Sequence, residues 1–98
     1  KNQLTAYWMA RVTVTNPDEY GEYAKLAGPA IEKNGGKFLA RGGNSVTLEG
    51  EEFARNVLIQ FDTLDHAVAC YNSPEYKEAL QFSANSSVRN VCIVEAVD

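Results

Sequence analysis

Apolar and polar residues alternate from Ala6 to Thr15, with Ala6, Trp8, Ala10, Val12 and Val14 on one parity and Tyr7, Met9, Arg11, Thr13 and Thr15 on the other. Successive side chains of a strand point to opposite faces, so this pattern predicts a half-buried strand. Asn16-Pro17-Asp18-Glu19 follows with the chemistry of a helix start: Asn16 as N-cap, Pro17 at the first helical position, and Glu19 placed to close a capping box. The two acids also suit the positive end of the helix dipole. Tyr20, Tyr23, Ala24, Ala27 and Ile31 then recur at helical spacing, while Glu22, Lys25, Glu32 and Lys33 fall on the opposite side. Gly28-Pro29 predicts a kink or a break in this helix, and Asn34-Gly35-Gly36 predicts its end, because glycine takes the positive φ that stops a helix.

Gly35 to Gly50 reads as a second strand, with glycine pairs at its start and middle and a glycine closing it. Gly42-Gly43 lacks Cβ atoms, which predicts an interruption of the alternation there and a close approach of another group to the backbone. Gly50-Glu51-Glu52 reads as the exposed turn of a hairpin into a third strand, Arg55 to Phe61, whose apolar run predicts a central place in the sheet or burial on both sides. Asp62-Thr63 caps a helix with the stripe Leu64, Ala67, Val68 and Tyr71, and Asn72-Ser73-Pro74-Glu75 ends it and starts another, continued by Tyr76, Ala79 and Leu80. After the polar turn Asn85-Ser86-Ser87, Arg89 to Val97 reads as a fourth strand, with Val91, Ile93 and Val97 on one face and Cys92, Val94 and Ala96 on the other.

Strand, helix, strand, then strand, helix pair, strand is one split unit used twice. The predicted class is α+β, a ferredoxin-like βαββαβ sandwich, in which right-handed crossovers put the helices on one face of a four-stranded antiparallel sheet. Residues 1–98 form a single domain of this kind. The opposite face carries Leu, Val, Phe and Met side chains that nothing in the chain covers, so the expected partner is a second copy packed sheet against sheet in a homodimer.

Composition and charge narrow the function classes. With 45% apolar and 22% charged residues the chain is an ordinary globular domain. A net charge of −4 argues against nucleic acid and anionic membrane surfaces, both of which need a basic footprint. No apolar run approaches the roughly 20 residues of a membrane span, and the N-terminus lacks the regions and cleavage site of a secretory leader. Cys70 and Cys92 are far apart and belong to no metal-ligand spacing, so the expected compartment is the reducing cytoplasm. Asn85-Ser86-Ser87 matches a glycosylation sequon only formally. Nothing in the sequence calls for a cofactor or a metal.

Candidate chemistry is sparse. Arg41 stands beside the glycine pair, where a guanidinium presents a forked donor to a carboxylate or an enolate; the alternative is an ion pair with Glu49 or with a carboxylate of a partner chain. Tyr71, Tyr76 and Tyr20 lie on buried stripes, where a phenol either hydrogen-bonds a ligand from a pocket wall or packs in the core. Trp8 either lines a cavity or fills it. His66, the sole histidine, is the one ordinary general base near neutral pH, yet its helical position points it away from the buried stripe. Cys70 and Cys92 read as small apolar fillers, Ser73 as a cap, and the acidic stretch Glu49 to Glu52 as a solvated hairpin tip rather than a cation site.

Ala40-Arg41-Gly42-Gly43, Leu48-Glu49-Gly50, Arg55 to Phe61 and Tyr71-Asn72-Ser73-Pro74-Glu75-Tyr76 together resemble the bacterial domain-of-unknown-function family 1330, of the dimeric α+β barrel superfamily. The resemblance runs from about Tyr7 to Val97 and implies a ferredoxin-like protomer, dimerisation through the sheet, and a cavity between sheet and helices. It implies no reaction. Two positions depart from the family's pattern: Cys70 stands where a tryptophan is expected, and Ser83 where an arginine of the last helix is common. The expectation is therefore a small cytoplasmic homodimer that binds an organic molecule in a pocket of at least roughly 300 Å³, with Arg41, Tyr71, Tyr76 and Trp8 as contacts. The alternative is a cofactor-independent, monooxygenase- or isomerase-like enzyme acting on small aromatic or carbonyl substrates, which requires His66 or a buried acid to meet the cavity.

Overall fold

The computed structural model describes residues 4–97. Its elements are β1 (Ala6–Val14), α1 (Pro17–Lys33), β2 (Lys37–Arg41), β3 (Arg55–Phe61), α2 (Leu64–Tyr71), α3 (Pro74–Leu80) and β4 (Ser87–Glu95). The strands form one antiparallel sheet in the order β2-β3-β1-β4. This is the ferredoxin-like α+β sandwich, with the apolar β3 and the alternating β1 in the middle.

Local chemistry sets the element boundaries. The Asn16 side chain accepts from the Glu19 N–H at 3.2 Å, Thr63 from the His66 N–H at 3.0 Å, and Ser73 from the Tyr76 N–H at 3.3 Å. Each bond satisfies an N–H that the first helical turn leaves without a partner. Helix α1 ends on Gly35 at φ 91°, with Gly36 N–H bonded to Ile31 O at 2.8 Å and Gly35 N–H to Glu32 O at 3.1 Å. That pair of bonds is the Schellman closure of a helix.

Three expectations about the elements are corrected. Of the kink or break expected at Gly28-Pro29, the break does not occur, and α1 runs through to Lys33. The one hydrogen bond that Pro29 removes would have reached the carbonyl of Lys25, and both residues lie on the exposed side, where water serves that carbonyl. The second strand does not extend to Gly50: β2 ends at Arg41, and residues 42–54 form an irregular connection in which Val46 is 79% and Leu48 86% exposed. Gly42 turns the chain at φ 68° and donates to Asn56 O at 2.9 Å, after which β3 is too short to offer a ladder to residues 44–50. β4 spans Ser87–Glu95, two residues earlier at each end than predicted, which leaves Val97 exposed outside the strand.

The core lies between the helices and one face of the sheet. Trp8 is its centre: its ring stacks on Phe61 at 5.9 Å and meets Tyr71 at 5.7 Å and the edge of Tyr76 at 5.1 Å. Aromatic pairs at these separations add to the stabilisation from burial. Helix α2 is rotated from the predicted stripe, burying Ala67 and Cys70 and leaving Val68 exposed. Cys70 is fully buried, and burial pushes its thiol up to about 11, so it acts as an inert filler. Cys92 is not a filler; it is exposed on the outward face of β4.

That outward face is apolar in patches. Met9, Val88 and Val94 are all more than a third exposed on it. Phe53, from the connection between β2 and β3, is buried, with the Arg11 guanidinium 4.6 Å from its ring centre. Arg11 also donates to Glu51 O at 3.0 Å, fixing the acidic stretch by its backbone.

Candidate functional site

Strand pairing decides where the arginines go. Arg55 of β3 and Arg89 of β4 both pair with Val12 of β1, and directly paired residues share a face of the sheet. Val12 faces the helices and is buried, so both arginines lie on the helix side, with Cα atoms about 10 Å apart across two strand spacings. Arg41 pairs with Val57 and faces the same way. Three of the chain's four arginines therefore meet under α1.

They line a cavity of about 100 Å³ between α1 and the sheet. Trp8, Val57 and Ile59 contribute from the strands, Tyr20, Tyr23 and Gly28 from the helix, and among the described residues no carboxylate side chain borders it. Each guanidinium lies over a ring. Arg41 lies 3.4 Å from the centre of Phe38, Arg55 5.9 Å from Tyr20 and Arg89 4.8 Å from Tyr23. Gly42 makes room for Arg55, since a Cβ there would lie 2.5 Å from its Nη1. This is the close approach that the glycine pair predicts.

Arg89 is also hydrogen-bonded. Its Nη2 donates to Tyr76 OH at 2.9 Å and Tyr23 OH at 3.0 Å, its Nη1 to Ser83 Oγ at 3.3 Å, and the two phenol oxygens lie 2.7 Å apart. Burial, followed by the mutual effect of the two oxygens, holds the Tyr23 phenol well above its ordinary pKa; burial also raises that of Tyr76, against the pull of Arg89. Burial disfavours the Arg89 charge, but the neighbouring tyrosine oxygens more than offset it, and the guanidinium stays charged. Among the described residues, no acid pairs with Arg41, Arg55 or Arg89. The Nε atoms of Arg55 and Arg89 are buried without an acceptor.

The residues singled out in the sequence separate here. Arg41 and Trp8 line the cavity, and Arg41 makes no ion pair with Glu49. Tyr76 does not border it; fully buried, it stands behind Arg89. Tyr71 lies instead in an open apolar groove with Val68 and Val91, Cys92 and Ile93 of β4. His66 is exposed, its ring against Gly35 and 6.1 Å from Phe61, and it does not reach the cavity. Tyr20, one of the phenols weighed from the sequence, lines the cavity, and the polar lining residues that the sequence reading did not single out as site candidates are Arg55, Arg89 and Tyr23. The arginines carried a readable signal: Arg55 shares parity with Val57, Ile59 and Phe61, and Arg89 with Val91 and Ile93. An arginine on the inward parity of a core strand is placed in the interior unless the strand ends before it.

The cavity volume corrects a further expectation. At about 100 Å³ it is a third of the roughly 300 Å³ at which sites for ordinary organic ligands begin. It has room for about three waters, or a molecule of a few heavy atoms. Among the described residues no cluster of histidine, cysteine and acids could hold a metal ion, and no helix is long and apolar enough to cross a membrane.

Residues 5–97 match the family described as a domain of unknown function, DUF1330. The chain belongs to this family. No curated protein matches it. Among solved structures, the DUF1330 chain is similar to a protein of unknown function from Rhodopseudomonas palustris, with a TM-score of 0.78 and 17% identity over 99% of this chain and 85% of that one. It is similar to SnoaB, a cofactor-independent oxygenase from Streptomyces nogalater, with a TM-score of 0.66 and 14% identity over 97% of this chain and 95% of that one. It also resembles a dimeric ferredoxin-like protein of unknown function from Thermobifida fusca, with a TM-score of 0.59 and 16% identity over 96% and 92% of the two chains. At these identities the likeness is one of fold.

Proposed function

We propose that this DUF1330 protein is a homodimer that binds a small organic anion, a carboxylate of a few heavy atoms, in the cavity under α1. One observation carries the reading: Arg41, Arg55 and Arg89 converge on one cavity and, among the described residues, no acid neutralises any of them. Clustered cations that lack counter-charges disfavour the empty site, and an anion relieves that repulsion. Arg41 and Arg55 donate no hydrogen bond to described residues, so their forks are available to carboxylate oxygens.

The test is calorimetric titration with sodium acetate and sodium propionate at constant ionic strength, together with thermal unfolding. Saturable binding is expected, with a rise in Tm that Arg55→Met removes. Acid-induced stabilisation no greater than that from chloride would sink the reading.

The dimer is proposed to form through the outward face of the sheet, where Met9, Val88 and Val94 are exposed. The Thermobifida fusca relative is described as dimeric. Light scattering on the full chain at micromolar concentration tests it; a mass of one 10.8 kDa chain contradicts it. An oxygenase-like reaction is a weaker reading. The cavity supplies guanidiniums and protonated phenols, which can bind and polarise an oxyanion, and no side chain that acts as a base near neutral pH.

A further inference from the structure

Hydrogen counting in the buried network assigns a further role. Arg89 Nη2 donates to both phenol oxygens, and those oxygens share one hydrogen bond between them. Two phenols bring two hydroxyl hydrogens. One is used between the oxygens, and the other has no acceptor among the described residues. If Tyr23 donated to Tyr76, the surplus hydrogen would sit on Tyr76, which is fully buried and does not border the cavity. A buried donor without an acceptor is destabilising, so the favoured arrangement is Tyr76 donating to Tyr23. That leaves the Tyr23 hydroxyl hydrogen free on the residue that lines the cavity.

Resting on the carboxylate reading above, we propose that Tyr23 donates a hydrogen bond to a second oxygen of the ligand, so that the site selects 2-oxo and 2-hydroxy acids over plain carboxylates. Arg55 and Arg41 stand on the β3-β2 side of the cavity, while Tyr23 stands with Arg89 on the β4 side. A carboxylate held by the first pair leaves Tyr23 facing the adjoining part of the ligand. With about 100 Å³ available, that part lies within a bond or two of the carboxylate. A keto or hydroxyl oxygen on the neighbouring carbon accepts from Tyr23; a methylene there strands the phenol hydrogen. Burial, the largest effect on Tyr23, keeps it protonated and a donor at neutral pH. Tyr76 uses its own hydrogen on the Tyr23 oxygen, and with or without it the Tyr23 hydrogen is left to the cavity.

The experiment is titration of the wild-type protein with the sodium salts of pyruvate, lactate and propionate at constant ionic strength, by calorimetry. Pyruvate or lactate is expected to bind at least about fivefold more tightly than propionate, the effect of one buried hydrogen bond made or left unmade. Tyr23→Phe is expected to bring the ratio to about one, mainly by weakening the oxygenated acids. Tyr76→Phe is expected to retain a preference, because Tyr23 keeps its free hydrogen; loss of the preference there would remove the assignment to Tyr23. Equal wild-type affinity for all three acids overturns the selectivity and leaves the carboxylate site standing. Failure of all three acids to bind overturns the carboxylate site itself. The wild-type ratio needs no variant, so a poorly folding Tyr23→Phe does not protect the proposal.

Discussion

The helix-facing side of the sheet holds two adjoining regions built on opposite principles. Beneath α2 and α3, Trp8, Phe61, Tyr71 and Tyr76 pack ring against ring in a neutral cluster whose rings lie 5.1 to 5.9 Å apart wherever they meet. Beneath α1 the same sheet carries three arginines around a cavity, with Tyr20 and Tyr23 as their stacking partners. The first region gains stability from close packing; the second holds charge that no acid among the described residues neutralises. Trp8 borders both, and the Tyr23-Tyr76-Arg89 network joins them. The packed cluster and the arginine-lined cavity are thus separated by the width of one side chain.

Truncation should break the two regions in opposite directions. Phe61→Ala, in the ring cluster and outside the cavity, is expected to destabilise the fold by about 3–5 kcal/mol in urea unfolding, as for other buried Phe→Ala changes. A loss under about 1 kcal/mol would mean that the cluster is not the mechanical centre.

Alkaline pH probes the network that joins the regions. Cys70 at about 11, and Tyr23 and Tyr76 above their ordinary phenol range, are all raised in the fold, so each holds its proton there after the unfolded chain has lost its own. Stability is therefore complete below about pH 9, the ordinary thiol value, and falls as pH rises past it and then past the ordinary phenol value of 10. The slope is up to about 1.4 kcal/mol per pH unit for each group. Urea midpoints between pH 8 and 11 measure it, and Tyr23→Phe should remove one group's share. A flat profile would contradict the buried network.

Gly42→Ala tests the seat of Arg55. A Cβ at φ 68° strains the backbone by about 1–2 kcal/mol, and it meets the guanidinium besides. Lower stability together with lost carboxylate affinity is expected; lost stability with unchanged affinity would remove Arg55 from the site. The smallest effect has the opposite sign. Arg55→Met keeps the stem volume and deletes a cation that has no counter-charge among the described residues, so the ligand-free protein should gain about 1 kcal/mol or stay level. A clear loss would place Arg55 among the stabilising residues instead.

Much of the fold was legible in the sequence because its signals are local. Asn16-Pro17, Thr63 and Ser73-Pro74 satisfy N–H groups within three residues of themselves, and the alternation of Ala6 to Val14 requires only that one face be buried. Gly35 stops α1 by its own backbone freedom. The length of β2 was not legible: Val46 and Leu48 alternate as a strand would, but a strand persists only where a neighbour offers its hydrogen bonds, and β3 ends short of them. The predicted break at Pro29 failed for a related reason, since the freed carbonyl faces water.

The site depended most on tertiary structure. By itself the sequence determined that one face of each strand is inward and that arginines stand at the starts of β3 and β4 on that parity. Only the strand order β2-β3-β1-β4 and the registry through Val12 bring residues 55 and 89 to one level, beside Arg41 and beneath α1. These residues are 14 to 48 positions apart in the chain, and no local preference couples them. Pairing register is fixed by the sum of many cross-strand contacts, so the convergence of charge that defines the cavity belongs to the assembled sheet.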